Sequence, residues 1–171
     1  MFSTLQEQPA DKILSLVQRF KEDPRLDKID LGVGVYKDAQ GLTPIMRSVK
    51  AAEKTLWESQ ETKSYVGLVG DIAFSDVMVD LLLGDAVSRD GVAAAATPGG
   101  TGAVRQAFEL VRMANAQARI FVSDPTWPNH LSILKHLGIE MVPYRYFDSS
   151  TGGVNHSDML EDLATAKLGD V

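Results

Sequence analysis

Arg119-Ile-Phe-Val-Ser-Asp-Pro-Thr-Trp-Pro-Asn-His-Leu-Ser-Ile-Leu-Lys-His-Leu-Gly-Ile-Glu-Met-Val-Pro-Tyr144 is the stretch on which the fold turns. Arg119 to Ser123 is short, apolar and rich in β-formers, and predicts a strand. Asp124 to Thr126 predicts a loop. Pro128 to His136 predicts a helix, with proline where a missing N–H costs nothing and Gly138 to end it. Ile139 to Tyr144 predicts a second strand. A helix between two strands lets them run parallel, which a tight hairpin cannot do.

The same alternation continues outward. Upstream, Val92 to Thr97 reads as a strand, Pro98 to Gly102 as a turn, and Ala103 to Asn115 as a helix with Val104, Phe108 and Val111 inward. Downstream, Ser157 reads as the cap of a helix carrying Met159, Leu160 and Leu163. That helix ends near Lys167, and Gly169 to Val171 resembles the approach to another strand. Strands alternating with helices predict an α/β fold with a parallel sheet. Nearer the N-terminus, Asp11 predicts the cap of a helix with Ile13, Leu14, Val17 and Phe20 at helical period, stopped by Pro24. Lys28 to Tyr36 alternates like a strand, and Asp38 to Gly41 predicts a turn. Thr43 predicts a cap with Pro44 at the first helical position and a buried stripe of Ile45, Val49, Ala52 and Leu56. Ser64 to Gly70 predicts a glycine-punctuated loop. A helix follows with Phe74, Val77 and Leu81 on its inner face and Gly84 as its C-cap. Three strands make a thin sheet with faces and an edge uncovered, so the sequence is expected to belong to a longer chain.

Composition narrows the function. The 171 residues include 17 Lys and Arg against 23 Asp and Glu, a formal charge of −6, and no basic cluster. Nucleic-acid binding needs clustered cations, so it is not expected. There is no cysteine, which excludes disulfides and thiolate metal sites. No run approaches the ~18 apolar residues of a membrane helix. A cytoplasmic protein that binds no membrane is expected.

Two segments carry chemistry. Thr97-Pro-Gly-Gly-Thr-Gly102 lies between a strand and a helix. Glycines there expose backbone N–H groups, the helix adds the positive end of its dipole, and Thr101 adds a hydroxyl. It is neither a P-loop nor a dinucleotide fingerprint. A plain βα turn and an anion site fit it equally. Asp124-Pro-Thr-Trp-Pro-Asn-His130 lies at the end of the next strand, hence on the same sheet edge, where open α/β sheets bind ligands. Trp127 suits stacking on a flat ring, and packing over a helix end suits it too. His130 suits orienting a carboxylate or a ring nitrogen, and a capping or satisfied core histidine, the commoner case, suits it too. His130 and His136 stand on different helix faces, which argues against a metal pair.

Four segments together are similar to the aspartate/aromatic aminotransferases, which are pyridoxal-phosphate enzymes of fold type I. They are Leu31-Gly-Val-Gly-Val-Tyr-Lys-Asp38, Lys63-Ser-Tyr-Val-Gly67, Thr97-Pro-Gly-Gly-Thr-Gly-Ala103 and Ser123-Asp-Pro-Thr-Trp-Pro-Asn-His130, in the family's order and at about its spacing. The resemblance implies the start of a three-layer α/β/α large domain over 45–171, preceded by an N-terminal arm and small-domain segment over 1–44. It implies pyridoxal 5'-phosphate as cofactor. Gly100 and Thr101 would hold its phosphate and Gly99 would shape the turn. Trp127 would stack on the ring and reach the substrate carboxylate through its N–H. His130 would support the aspartate that pairs with the pyridine nitrogen. Gly34 would offer its backbone to the substrate, with Val33 beside it. Tyr65 would reach the phosphate of a neighbouring subunit, which implies a homodimer.

The reaction implied is amino transfer between an aromatic or dicarboxylic L-amino acid and a 2-oxo acid. None of the lysines present stands in the context of the family's cofactor-holding lysine. The aspartate under the pyridine nitrogen and the substrate-binding arginines are missing too. No catalytic residue is therefore assigned, and the 171 residues alone are expected to be inactive. The alternative is a non-catalytic module that binds pyridoxal phosphate or another phosphorylated ligand.

Overall fold

The computed structural model describes residues 3–4, 12–32 and 34–171. The expected cap Asp11 and the expected substrate contact Val33 lie outside the described residues, as do the side chains of Ile13 and Leu14. The chain forms two compact units, Met1–Lys63 and Ser64–Val171.

In the first unit, α1 spans Lys12–Glu22. Lys28 closes its C-terminal end by donating to the carbonyls of Phe20 and Asp23, both at 2.6 Å, with its ammonium 4.5 Å from the Phe20 ring centre. A cation there complements the helix dipole. The strand expected over Lys28 to Tyr36 has no ladder among the described residues. Side chains take over instead: Asp30 accepts from the Gly32 N–H at 2.9 Å and from Lys37 at 2.6 Å. Short polar side chains divert the backbone from regular pairing in this way. The Asp38–Gly41 turn forms as expected, closed by Asp38 and Leu42. Thr43 does not cap a helix. Its hydroxyl donates to the Tyr36 carbonyl at 3.0 Å, and α2 starts three residues past Pro44, spanning Arg47–Ser59. The expected stripe of Ile45, Val49, Ala52 and Leu56 is exposed, because no described residue of the unit covers it.

In the second unit, α3 spans Ile72–Leu83. Asp71 accepts from the Phe74 N–H at 2.8 Å, and Gly84 ends the helix at positive φ. Its inward face is Ser75, Met78, Val79 and Leu83, while the expected Phe74, Val77 and Leu81 are exposed. Apolar residues surround this helix, so periodicity alone could not select the face. The segment Val92 to Thr97 joins no ladder. Its Ala96 N–H donates instead to the Val69 carbonyl at 2.9 Å.

The core follows the βαβ reading. Strands β1 (Arg119–Asp124) and β2 (Glu140–Arg145) pair in parallel, with Arg119 opposite Glu140 and Asp124 opposite Arg145. Between them runs α5, Pro128–Leu137, ended by Gly138 in the left-handed conformation. Upstream of β1 lies α4, Gly99–Ala114. Ile120 and Val122 alternate to one face of β1 and bury themselves against Ile133, Leu134 and Leu137 of α5 and Ile139. Val104, Phe108 and Val111 of α4 pack on the same cluster, as expected. Past β2, the strands β3 (Phe147–Asp148) and β4 (Gly153–Val154) form a small hairpin that turn signals did not reveal. The last helix, α6, spans His156–Leu163. Its cap is Asn155, which accepts from the Asp158 N–H, and not Ser157. It also ends before Lys167.

Val171 donates to the Arg119 carbonyl at 3.0 Å and accepts from the Phe121 N–H at 2.7 Å. This is the hydrogen-bond pattern of a parallel neighbour on the free edge of β1, as the approach to a strand predicted. Asp170 anchors it through a two-pronged ion pair with Arg119. Arg145, at the end of β2, pairs with Asp158, Glu161 and Asp162 of α6.

These ion pairs give a pH dependence. Hydrogen bonds from Arg145 hold the Asp162 carboxyl at about 2, and those from Arg119 do the same for Asp170. A folded carboxyl below its unfolded value of ~3.9 contributes stability above that pH and loses it as pH falls toward ~2. The urea midpoint of wild type should therefore decline between about pH 5 and pH 2. Asp170→Asn should be less stable than wild type at pH 6 and approach it at pH 2. A constant gap between the two would show that the pair contributes nothing through its charge.

Candidate active site

The N-termini of α4 and α5 form the site. Gly99, Gly100, Thr101 and Gly102 make the first turn of α4, where the sequence predicted a turn ahead of a helix starting at Ala103. The first turn of a helix has N–H groups without intrahelical acceptors. The Gly99 N–H is turned back to the Thr97 carbonyl at 2.8 Å. Those of Gly100 and Thr101 have no carbonyl four residues back within the helix. A Cβ at Gly99 or Gly100 would meet nothing within 4 Å, so open space adjoins these donors. Gly102 differs. A Cβ there would stand 3.2 Å from Pro98 Cδ and 3.5 Å from Thr97 Cβ, so its bareness lets the incoming chain lie close against the helix.

Trp127 precedes α5 as its N-cap residue and is 42% exposed. The His130 N–H donates to the Trp127 carbonyl at 2.9 Å, and their rings meet edge to face, 5.3 Å apart at 86°. Phe108 of α4 also meets the His130 ring edge to face, 6.4 Å between ring centres. Thr126 Oγ1 lies 2.9 Å from His130 Nδ1, which leaves Nε2 as the nitrogen available to another partner. A cleft of about 310 Å³ opens beside His130, with Ser123, Thr126 and Tyr144 among its walls.

One bond ties the two helix starts together. Asn129 Nδ2 donates to Thr101 Oγ1 at 3.0 Å. At the other end Arg112 of α4 donates to the Leu137 carbonyl of α5 at 2.6 Å. The two helices are thus linked at both ends. Asn129 and Arg112 were not singled out by sequence. Asn129 stands inside the Trp-Pro-Asn-His run, and that was its only signal.

Thr101, Trp127 and His130 are therefore brought together, with Gly99 and Gly100 beside Thr101. Tyr65 is not part of this cluster. It is wholly exposed ahead of the Gly67–Gly70 bridge. Gly34 belongs to the first unit, with nothing within 4 Å of where a Cβ would stand. Among the described residues no group of three or more His, Cys, Asp or Glu could hold a metal ion, and no helix is long and apolar enough to cross a membrane.

N–H donors, a hydroxyl and open space suit an anion, and the half-exposed indole suits a flat ring. Pyridoxal phosphate presents both, so the residues present fit it. The family model for aminotransferase class I and II matches residues 26–171. An aromatic-amino-acid aminotransferase of Paracoccus denitrificans is 55% identical over 171 residues, covering 100% of this chain and 43% of the relative. An aspartate aminotransferase of Escherichia coli is 41% identical over 174 residues, covering 100% of this chain and 44% of the relative. Among solved structures, an aromatic-amino-acid aminotransferase from Burkholderia pseudomallei, covalently bound to pyridoxal phosphate, superposes with a TM-score of 0.88 at 36% identity. That match covers 98% of this chain and 43% of the other. The chain spans less than half the length of the relatives it matches. Its α/β architecture is that of the fold type I aminotransferases, and the chain belongs to the class I and II aminotransferase family.

Proposed function

We propose that this chain contributes the ring- and phosphate-holding part of an aminotransferase. The enzyme moves an amino group between an aromatic or dicarboxylic L-amino acid and a 2-oxo acid. The observation that carries the reading is the Asn129–Thr101 bond. It joins the anion donors of α4 to the Trp127–His130 ring pair of α5 on one edge of the sheet. Pyridoxal phosphate, when bound, supplies the electron sink for the bond that breaks at the substrate's α-carbon.

Within this chain, the N–H groups of Gly100 and Thr101 and the Thr101 hydroxyl bind the phosphate, and Gly99 shapes the turn. Trp127 lies against the ring, keeps water from that face and offers its indole N–H to a substrate carboxylate. His130, held through Nδ1 by Thr126, supports through Nε2 the aspartate that faces the pyridine nitrogen. Gly34 and Val33 offer backbone to the substrate. Tyr65 reaches across to the second copy of a cytoplasmic homodimer. Residues 1–44 serve as arm and small-domain segment, and 45–171 as the start of the large domain. Among the described residues, no lysine takes part in the hydrogen bonds or ring contacts of the cluster. The lysine that moves the α-proton is assigned to sequence outside these 171 residues.

Initial-rate kinetics test this on the product of the whole gene. Parallel double-reciprocal lines for an aromatic amino acid and a 2-oxo acid are expected, as ping-pong transfer requires. No amino transfer to any 2-oxo acid would refute the function. The 171 residues alone are expected to show no turnover, and turnover by them would refute the assignment of the lysine.

A further inference from the structure

We propose that Asn129 is a positioning residue: it sets the rotor of the Thr101 hydroxyl so that its proton is available to the bound anion. The inference rests on the reading that Gly100 and Thr101 hold the cofactor phosphate. A threonine hydroxyl has one proton and two lone pairs, and its proton turns to whatever acceptor is at hand. Inside a helix the usual acceptor is a carbonyl four residues back, which would remove the hydroxyl from service. Here Asn129 Nδ2 donates to Oγ1 at 3.0 Å from the neighbouring helix. A lone pair is thereby occupied, and the proton must point away from Asn129. It has no acceptor among the described residues, while the adjoining flank of Gly99 and Gly100 is open. Asn129 follows Trp127 by two residues and precedes His130 by one, on the same half-buried turn. The bond therefore also fixes the ring platform against the phosphate donors.

The chemistry discriminates the two ends of the Asn129 side chain. An amide nitrogen leaves the threonine proton free, whereas a carboxylate in its place can only accept and would take that proton. The test is binding to the cofactor-free protein expressed from its own gene. Dissociation constants are measured by tryptophan fluorescence for pyridoxal phosphate and for phosphate-free pyridoxal. Asn129→Ala should weaken pyridoxal phosphate about tenfold, the scale of a hydrogen bond to a charged group, and leave pyridoxal unchanged. In a Thr101→Val background the same change should cost nothing further, since the hydroxyl it positions is gone. Asn129→Asp keeps the shape of the side chain and should weaken pyridoxal phosphate more than Asn129→Ala does.

Equal losses for both ligands would overturn the proposal and make Asn129 a packing residue. So would an Asn129→Ala cost undiminished in the Thr101→Val background, or an Asn129→Asp variant that binds as wild type does. In each of those cases wild type still prefers the phosphorylated ligand, and the reading of the site stands. Wild type binding both ligands equally would overturn that reading and the proposal with it.

Discussion

Leu134→Ala should lower the stability of the second unit by about 3 kcal/mol, within the ~2–5 kcal/mol found for deleting a buried leucine side chain. Leu134 is 0% exposed, the deepest residue of the core formed by β1, α5 and the start of β2. Its carbonyl also accepts the N–H groups of Gly138 and Ile139, which close the helix end. Truncation leaves a cavity that rigid neighbours on a parallel strand pair fill only partly. The consequence reaches the site, because α5 carries Trp127, Asn129 and His130 at its other end.

Urea unfolding followed by Trp127 emission measures this directly. A Trp57→Phe background removes the second indole, which is 82% exposed on α2. Leu110→Ala is the control, since Leu110 is 67% exposed on α4 and its loss should stay within ~0.5 kcal/mol. Equal effects of the two substitutions would mean that α5 is not seated by this core.

The βαβ centre was legible because three independent signals agreed there. The alternation of Ile120 and Val122, the proline at the start of α5 and the glycine at its end all specify one arrangement, and the structure has it. The nearness of Trp127 and His130 was legible for the same reason, since both stand at the start of α5, while Thr101 stands on α4 and meets them through Asn129. Elsewhere the local pattern was outweighed by what surrounds it. Val92 to Thr97 has strand composition, yet both edges of β1 are occupied, by β2 and by Val171, and a strand without a neighbour forms no ladder. The faces of α2 and α3 were misjudged because a helical stripe records where apolar residues lie, and not whether this chain covers them. Thr43 and Ser157 were read as caps from residue type. Thr43 instead holds the Tyr36 carbonyl, and Asn155 is better placed than Ser157. Asn129 was passed over because its partner is 28 residues away, a relation that no local pattern contains.

Gly70→Ala should detach the loop that carries Tyr65. Gly70 has φ of +86°, a conformation that costs an L-residue roughly 1–2 kcal/mol. The added Cβ would also stand 2.6 Å from the Cβ of Ala96 and 3.6 Å from its Cα and N. That neighbour is a methyl fixed to backbone, so it cannot swing aside. Strain and overlap together should cost about 2–3 kcal/mol, in the range of overpacked sites. The hydrogen bond from the Ala96 N–H to the Val69 carbonyl, 2.9 Å, spans the same contact and should break with it. Amide exchange at Ala96 reports the rupture locally, and the urea midpoint reports the cost. Gly67→Ala is the matched control, because a Cβ there meets nothing within 4 Å and no positive φ opposes it. Faster exchange at Ala96 in Gly70→Ala, with Gly67→Ala like wild type, would establish that the segment leading into α4 is held by this contact. Unchanged protection of Ala96 in Gly70→Ala would refute it. If Tyr65 reaches the phosphate of a second subunit as proposed, Gly70→Ala should also weaken pyridoxal phosphate in the dimer and leave phosphate-free pyridoxal unaffected. On that proposal, the backbone requirement at Gly70 would connect to cofactor retention in the neighbouring copy.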